Sequence, residues 1–133
     1  MKIDYDYIIK IFNVFLEAET PTVDWEAFED LRDGELYDDK FIFHIRLLSE
    51  THLISDEQGD SSLESLGILP TATNYVISII PWRLTSEGHS FSSEITKPDI
   101  LTTIKEKFKT EGFSMVVDVA KQLIQKEVEK RLG

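Results

Sequence analysis

Only one stretch of this chain, Tyr75-Val76-Ile77-Ser78-Ile79-Ile80, has the β-branched density of a strand, and helix-periodic segments stand on both sides of it. That order restricts the fold to an α+β, mostly helical domain. One strand with a short partner makes a hairpin-sized sheet, so the helices must build the core. Pro81 marks the frayed end or an edge position of the strand.

Before the strand, Tyr5, Ile8, Ile9, Phe12, Phe15 and Leu16 recur at three- and four-residue steps, predicting an amphipathic helix from Asp4 to Glu17. Thr20-Pro21-Thr22 breaks it. Asp24 then reads as the cap of a second short helix running towards Arg32, and Asp33-Gly34 as its stop. A third helix is expected from Asp38 to Thr51, with Phe41, His44, Ile45 and Leu48 on its core face. Leu53-Ile54 resumes an extended segment, and Asp56 to Ser62 is a polar loop. Residues 63–73 carry little pattern, and Gly67 and Pro70 argue against a long helix there.

After the strand, Thr85 or Ser86 caps a helix over Glu87–Ile95. Pro98 suits the first turn of the next helix, whose stripe is Ile100, Leu101, Ile104 and Phe108. The last helix, Ser114–Leu132, carries Val116, Val117, Ala120, Leu123, Ile124 and Val128 on one face. The succession helix, helix, helix, strand, loop, strand, helix is that of a winged-helix-like domain: three helices plus a small antiparallel β-wing, with additional C-terminal helices. Its strands are expected at Leu53–Asp56 and Asn74–Arg83, joined by a long wing. The winged-helix-like part is expected over residues 1–96, and 97–133 form a C-terminal helical extension packed on it as one folding unit.

Charge and missing residue types narrow the function. With no cysteine, thiolate catalysis, disulfides and zinc ribbons are excluded. Net charge is −11, and it is unevenly placed: residues 1–96 hold 6 Lys/Arg against 19 Asp/Glu, residues 97–133 hold 8 against 6. An acidic body repels phosphate backbones, so nucleic acid is disfavoured as a partner and a protein partner or self-association is favoured. The start, Met1-Lys2-Ile3-Asp4-Tyr5-Asp6, lacks the apolar run of a signal peptide, and no run is long enough to span a bilayer. A cytoplasmic protein without membrane contact is the expectation.

No residue pattern here points to catalysis, a cofactor or a metal. The three histidines, His44, His52 and His89, lack the close spacing of a metal-binding helix. His44 reads as a core histidine, His52 as exposed near a turn, and His89 as a structural residue bonded to a backbone carbonyl. The carboxylates look like solvated surface, and Ser61-Ser62 and Ser92-Ser93 have no nucleophile elbow around them.

The third helix would read DNA if the fold served its commonest purpose. Outside its core face it carries Asp38, Asp39, Lys40, Ile42, Phe43, Arg46, Leu47 and Glu50, where base recognition calls for Arg, Lys, Asn or Gln. Ile42, Phe43, Arg46 and Leu47 are therefore expected to form an interaction surface against the C-terminal helices or a partner. Lys105, Lys107, Lys109 and Lys121 are the candidate phosphate contacts, or salt-bridge partners for the acidic body of another copy.

The most distinctive string is Arg83-Leu84-Thr85-Ser86-Glu87-Gly88-His89-Ser90-Phe91. It resembles the LTxEGHxF signature of an uncharacterised family of phage and prophage proteins that share a domain of unknown function. The likeness extends to the Met1-Lys2 start, the His44…Leu47-Leu48 helix and the C-terminal helical pair. It implies a winged-helix fold and a phage-related setting, and it carries no activity. Family members usually have Trp where Ser86 stands, Gly where His52 stands and a second Trp near Leu101. The resemblance then implies a changed turn after the third helix at His52 and, from the two Trp losses, a divergent sequence with a repacked C-terminal half. Read by itself, the string is an architectural joint. Leu84 ends a strand inward, Thr85 caps a helix, Gly88 permits close helix approach, His89 follows, and Phe91 buries. The expected function is a non-enzymatic protein-interaction module, with a dimeric DNA-binding regulator as the alternative and an acidic decoy of a nucleic-acid-binding protein as a third reading.

Overall fold

The structure, a computed structural model, describes residues 1–107 and 111–132. It is α+β and mostly helical, with two small antiparallel sheets. Helix α1 spans Tyr5–Glu17, and its cap Asp4 accepts the Tyr7 N–H at 3.1 Å. Its buried stripe includes Ile11, whereas Leu16, expected inside, is 47% exposed. A 3₁₀ helix follows at Trp25–Arg32, capped by Asp24 and closed by Asp33 and Gly34 at φ 52° and 77°. Helix α2 spans Asp39–Glu50, and its cap Asp38 accepts the Phe41 N–H at 2.7 Å. In all three, a short acidic side chain satisfies one of the amides that a helix start leaves unpaired.

The strands differ from expectation. β1 (Ile54–Ser55) pairs with β4 (Arg83–Leu84), in register Ile54↔Leu84 and Ser55↔Arg83. β2 (Ile68–Pro70) pairs with β3 (Tyr75–Ile77) in a separate hairpin, in register Ile68↔Ile77, Leu69↔Val76 and Pro70↔Tyr75. The single strand expected over Asn74–Arg83 is thus two strands. Ile79, Ile80 and Pro81 leave the ladder between them, and the strand at Ile68–Pro70 had no pattern to announce it. Trp82 exchanges both backbone bonds with Val23, at 2.9 and 2.6 Å. Successive strand residues turn their backbone groups to opposite edges. The Trp82–Leu84 segment therefore runs between Val23 on one edge and β1 on the other.

Helix α3 (Ser86–Ile95) starts at Thr85, whose hydroxyl accepts the Gly88 N–H at 3.0 Å and donates to the His52 carbonyl at 2.7 Å. A Cβ on Gly88 would stand 2.0 Å from the Leu53 carbonyl oxygen, so only glycine lets α3 lie against that segment. Helices α4 (Pro98–Lys107) and α5 (Phe113–Leu132) complete the chain. Ile104 is buried, Ile100 and Leu101 are half-buried, and Phe108 lies outside the described residues. Phe91 of α3 joins the two ends of the chain, with its ring 5.9 Å from Phe12 of α1 and 5.7 Å from Phe113 of α5. One hydrophobic core consequently runs from Tyr5 to Ala120. At its centre Trp25, Phe28, Phe41 and Trp82 pack ring against ring, with Trp25–Phe41 at 5.1 Å and Phe28–Trp82 at 5.5 Å. Such aromatic pairs contribute about 0.5–1.5 kcal/mol each beyond their buried area.

Candidate functional site

The clearest candidate site begins with a buried cation. Arg32 ends the 3₁₀ helix at 4% exposure, beside the Trp25 ring at 4.7 Å, with no carboxylate bonded to it among the described residues. Its guanidinium donates to three backbone carbonyls: Trp25 at 3.0 Å, Leu36 at 3.0 Å, and Glu35. Burial holds its pKa below the ordinary arginine value, partly offset by the nearby Glu29 and Asp38 charges. The Trp25 indole N–H donates to the same Leu36 carbonyl at 2.7 Å.

These donors turn the Leu36 carbonyl inward, and its side chain is left 63% exposed. Across from it, after β3, Ile79 is 55% exposed. Trp25, Leu36, Ile77 and Ile79 line a groove of about 630 Å³ between the 3₁₀ helix, its following loop and the hairpin. Exposed carboxylates of Glu26, Glu29 and Glu35 rim it. The Tyr37 and Tyr75 rings, 5.6 Å apart, tie the loop to the hairpin behind. The arrangement offers apolar contact and negative potential. Nothing in the sequence periodicity marks Leu36, and it marks Ile79 only as part of the strand expected over Asn74–Arg83. The nearest signal was a large apolar residue stranded in a turn after Asp33-Gly34-Glu35.

The residues singled out from the sequence are dispersed. Ile42 does not belong to an interaction surface: at 3% exposure it is part of the core, because α2 is covered around more than one face. Phe43 and Leu47 are half-buried, and Arg46 is exposed. Phe43 flanks an open groove formed with the N-terminal residues, Lys40 and Lys105. Among the phosphate candidates, Lys105 is bonded to Asp6 at 2.8 Å and Lys121 to Glu87 at 3.3 Å. Lys107 is exposed, and Lys109 lies outside the described residues. The joint residues sit together: Leu84 and Phe91 are 5% and 2% exposed, and Thr85 and Gly88 make the contacts described above.

His44 is fully buried. Its Nε2 accepts the Asp4 backbone N–H at 2.9 Å and its Nδ1 faces the Lys40 carbonyl at 2.8 Å, which fixes the neutral Nδ1–H tautomer. Burial lowers its pKa, partly opposed by the Lys40 carbonyl bond and the Asp4 charge. His52 is exposed, with φ at 59°. His89 is exposed as well, and its ring makes no hydrogen bond among the described residues, so the expected carbonyl contact is absent there. No three His, Asp or Glu side chains among the described residues converge as a metal set. None of the helices among them is long and apolar enough to cross a membrane.

No family, curated protein or solved structure matches this chain.

Proposed function

We propose that this chain is a non-enzymatic protein-interaction module on a winged-helix-like frame, using the apolar groove at Leu36 and Ile79. The carrying observation is the pinning of the Leu36 carbonyl by the buried donors of Trp25 and Arg32. Buried polar groups are organised there to hold a large apolar side chain in water, and an ordered, exposed anchor of this kind suits a partner's pocket or helix.

The winged-helix reading is supported by the helix order and by the three-segment arrangement of Val23, Trp82–Leu84 and β1. Likeness to the phage and prophage family is supported at two of the departures. His52 occupies the left-handed backbone region, which suits the glycine usual at that place. Ser86 borders a cavity of about 320 Å³ with Phe91, Ala120 and Ile124, space that the usual tryptophan side chain could enter. A cytoplasmic setting goes with this reading, and no cofactor is called for.

DNA regulation is the alternative. It is weakened by the ion pairs at Lys105 and Lys121 and by the mixed face of α2. Fluorescence anisotropy of labelled mixed-sequence duplexes, titrated at low and near-physiological salt, tests the choice. The expected result is no binding even at low salt. Binding that weakens steeply with salt would replace this reading by the regulator.

A further inference from the structure

We propose that the groove takes a basic amphipathic segment of a partner protein, with its apolar residues on Leu36 and Ile79 and its Lys or Arg residues on the rim. The inference rests on the interaction reading above and adds the chemistry of the partner.

Charge complementarity selects the occupant. Glu26, Glu29 and Glu35 are all exposed along the rim. The cation lining the groove, Arg32, is 4% exposed: its Nη1 and Nη2 donate to the carbonyls of Trp25, Glu35 and Leu36, and its Nε is buried with no hydrogen-bond partner among the described residues. Its donors are therefore turned into the protein and away from an incoming anion. The wider body has the same sign, since residues 1–96 hold 19 Asp/Glu against 6 Lys/Arg. An acidic segment or a phosphate backbone would meet like charge from every side. A purely polar basic segment would leave Leu36 and Ile79 in water. A segment with both features buries the apolar pair and steers on the carboxylates. Burial supplies the salt-insensitive part of affinity, and the exposed acids supply the on-rate and its salt dependence.

The test uses the full chain and three labelled synthetic peptides of equal length: a Lys/Leu amphipathic helix, its Glu/Leu counterpart and its Lys/Ser counterpart. Anisotropy is expected to show binding of the Lys/Leu peptide alone. Leu36→Asp and Ile79→Asp should each weaken it about tenfold or more. Both positions are over half exposed, so the variants retain the fold, and circular dichroism checks this. The triple variant E26Q/E29Q/E35Q should weaken it less and flatten its salt dependence. Equal binding of the Glu/Leu peptide, lost in Leu36→Asp, would overturn the basic partner while leaving the groove as a protein-binding surface. Equal binding of the Lys/Ser peptide, unchanged in Leu36→Asp, would overturn both the partner and the groove. Failure of every peptide to bind would overturn the partner class. Concentration-dependent self-association abolished by Leu36→Asp would overturn it in favour of a second copy.

Discussion

Two turns in this protein are each fixed by several hydrogen bonds to backbone carbonyls, and they are put to opposite uses. At Thr85–Gly88 the bonds bring α3 against the His52–Leu53 segment, and the apolar neighbours Leu84 and Phe91 disappear into the core. At Arg32–Leu36 the bonds are as many and more deeply buried, yet the apolar residue at their focus stays in water. A hydrogen bond contributes about 0.5–1.5 kcal/mol net, and the apolar surface it positions can add more when that surface is buried. The first turn is thus accounted for within the fold. The second fixes a side chain that the fold itself leaves exposed, and in the proposed function a partner covers it.

The joint should be the more fragile of the two. Gly88→Ala relieves up to about 1 kcal/mol of helix propensity. That gain is outweighed, because the new Cβ would stand 2.0 Å from a backbone oxygen, an atom that cannot rotate aside. The expected net loss is about 2–3 kcal/mol by urea denaturation. A neutral result would show that α3 is held less tightly than the geometry implies.

Arg32→Met comes next. It leaves the carbonyls of Trp25, Glu35 and Leu36 short of a charged donor but removes the penalty of burying a cation, so the expected loss is about 2 kcal/mol. The variant should also speed amide exchange around Leu36 and weaken partner binding. Loss of stability without faster exchange in the loop would break the argument that Arg32 serves display.

How far the two turns could be read from sequence follows from the range of their interactions. Thr85, Gly88 and Phe91 lie within seven residues, and capping and close approach are local rules. The caps Asp4, Asp24 and Asp38 were legible for the same reason. Leu36 is displayed because an indole 11 residues away takes its carbonyl, and no periodicity encodes that. The same applies to the Ile68–Pro70 strand, whose pairing depends on a partner across a turn, and to Lys105, whose partner Asp6 is 99 positions away. Ile42 was misplaced because a helical wheel assumes one covered face, and α2 has more.

His44 gives a pH-dependent comparison. Its folded pKa lies below the ordinary 6.5 because burial disfavours the charged ring. The unfolded chain therefore takes up this proton first as pH falls. The contribution of His44 to stability is complete above about 6.5 and is lost between that value and its lowered folded pKa. Urea midpoints at pH 7.5 and 5 should fall in the wild type relative to His44→Gln, which has no titrating ring. A constant difference between the two proteins would deny that the ring is buried neutral. Smaller again, and opposite in sign, is His52→Gly. Removing a Cβ from φ 59° should stabilise by about 0.5–1 kcal/mol, less the entropy that glycine brings to the unfolded chain.

The smallest effect on stability is the most informative. Leu36 is 63% exposed, so Leu36→Asp removes almost no burial, and the change should lie within about 0.5 kcal/mol of the wild type. The added charge joins Glu26, Glu29 and Glu35, whose exposed positions keep the repulsion small. A packing residue cannot combine unchanged stability with lost binding, whereas a displayed anchor must. If Leu36→Asp instead cost as much as Arg32→Met, Leu36 would be contributing to the fold. The two turns would then be one kind of device rather than two.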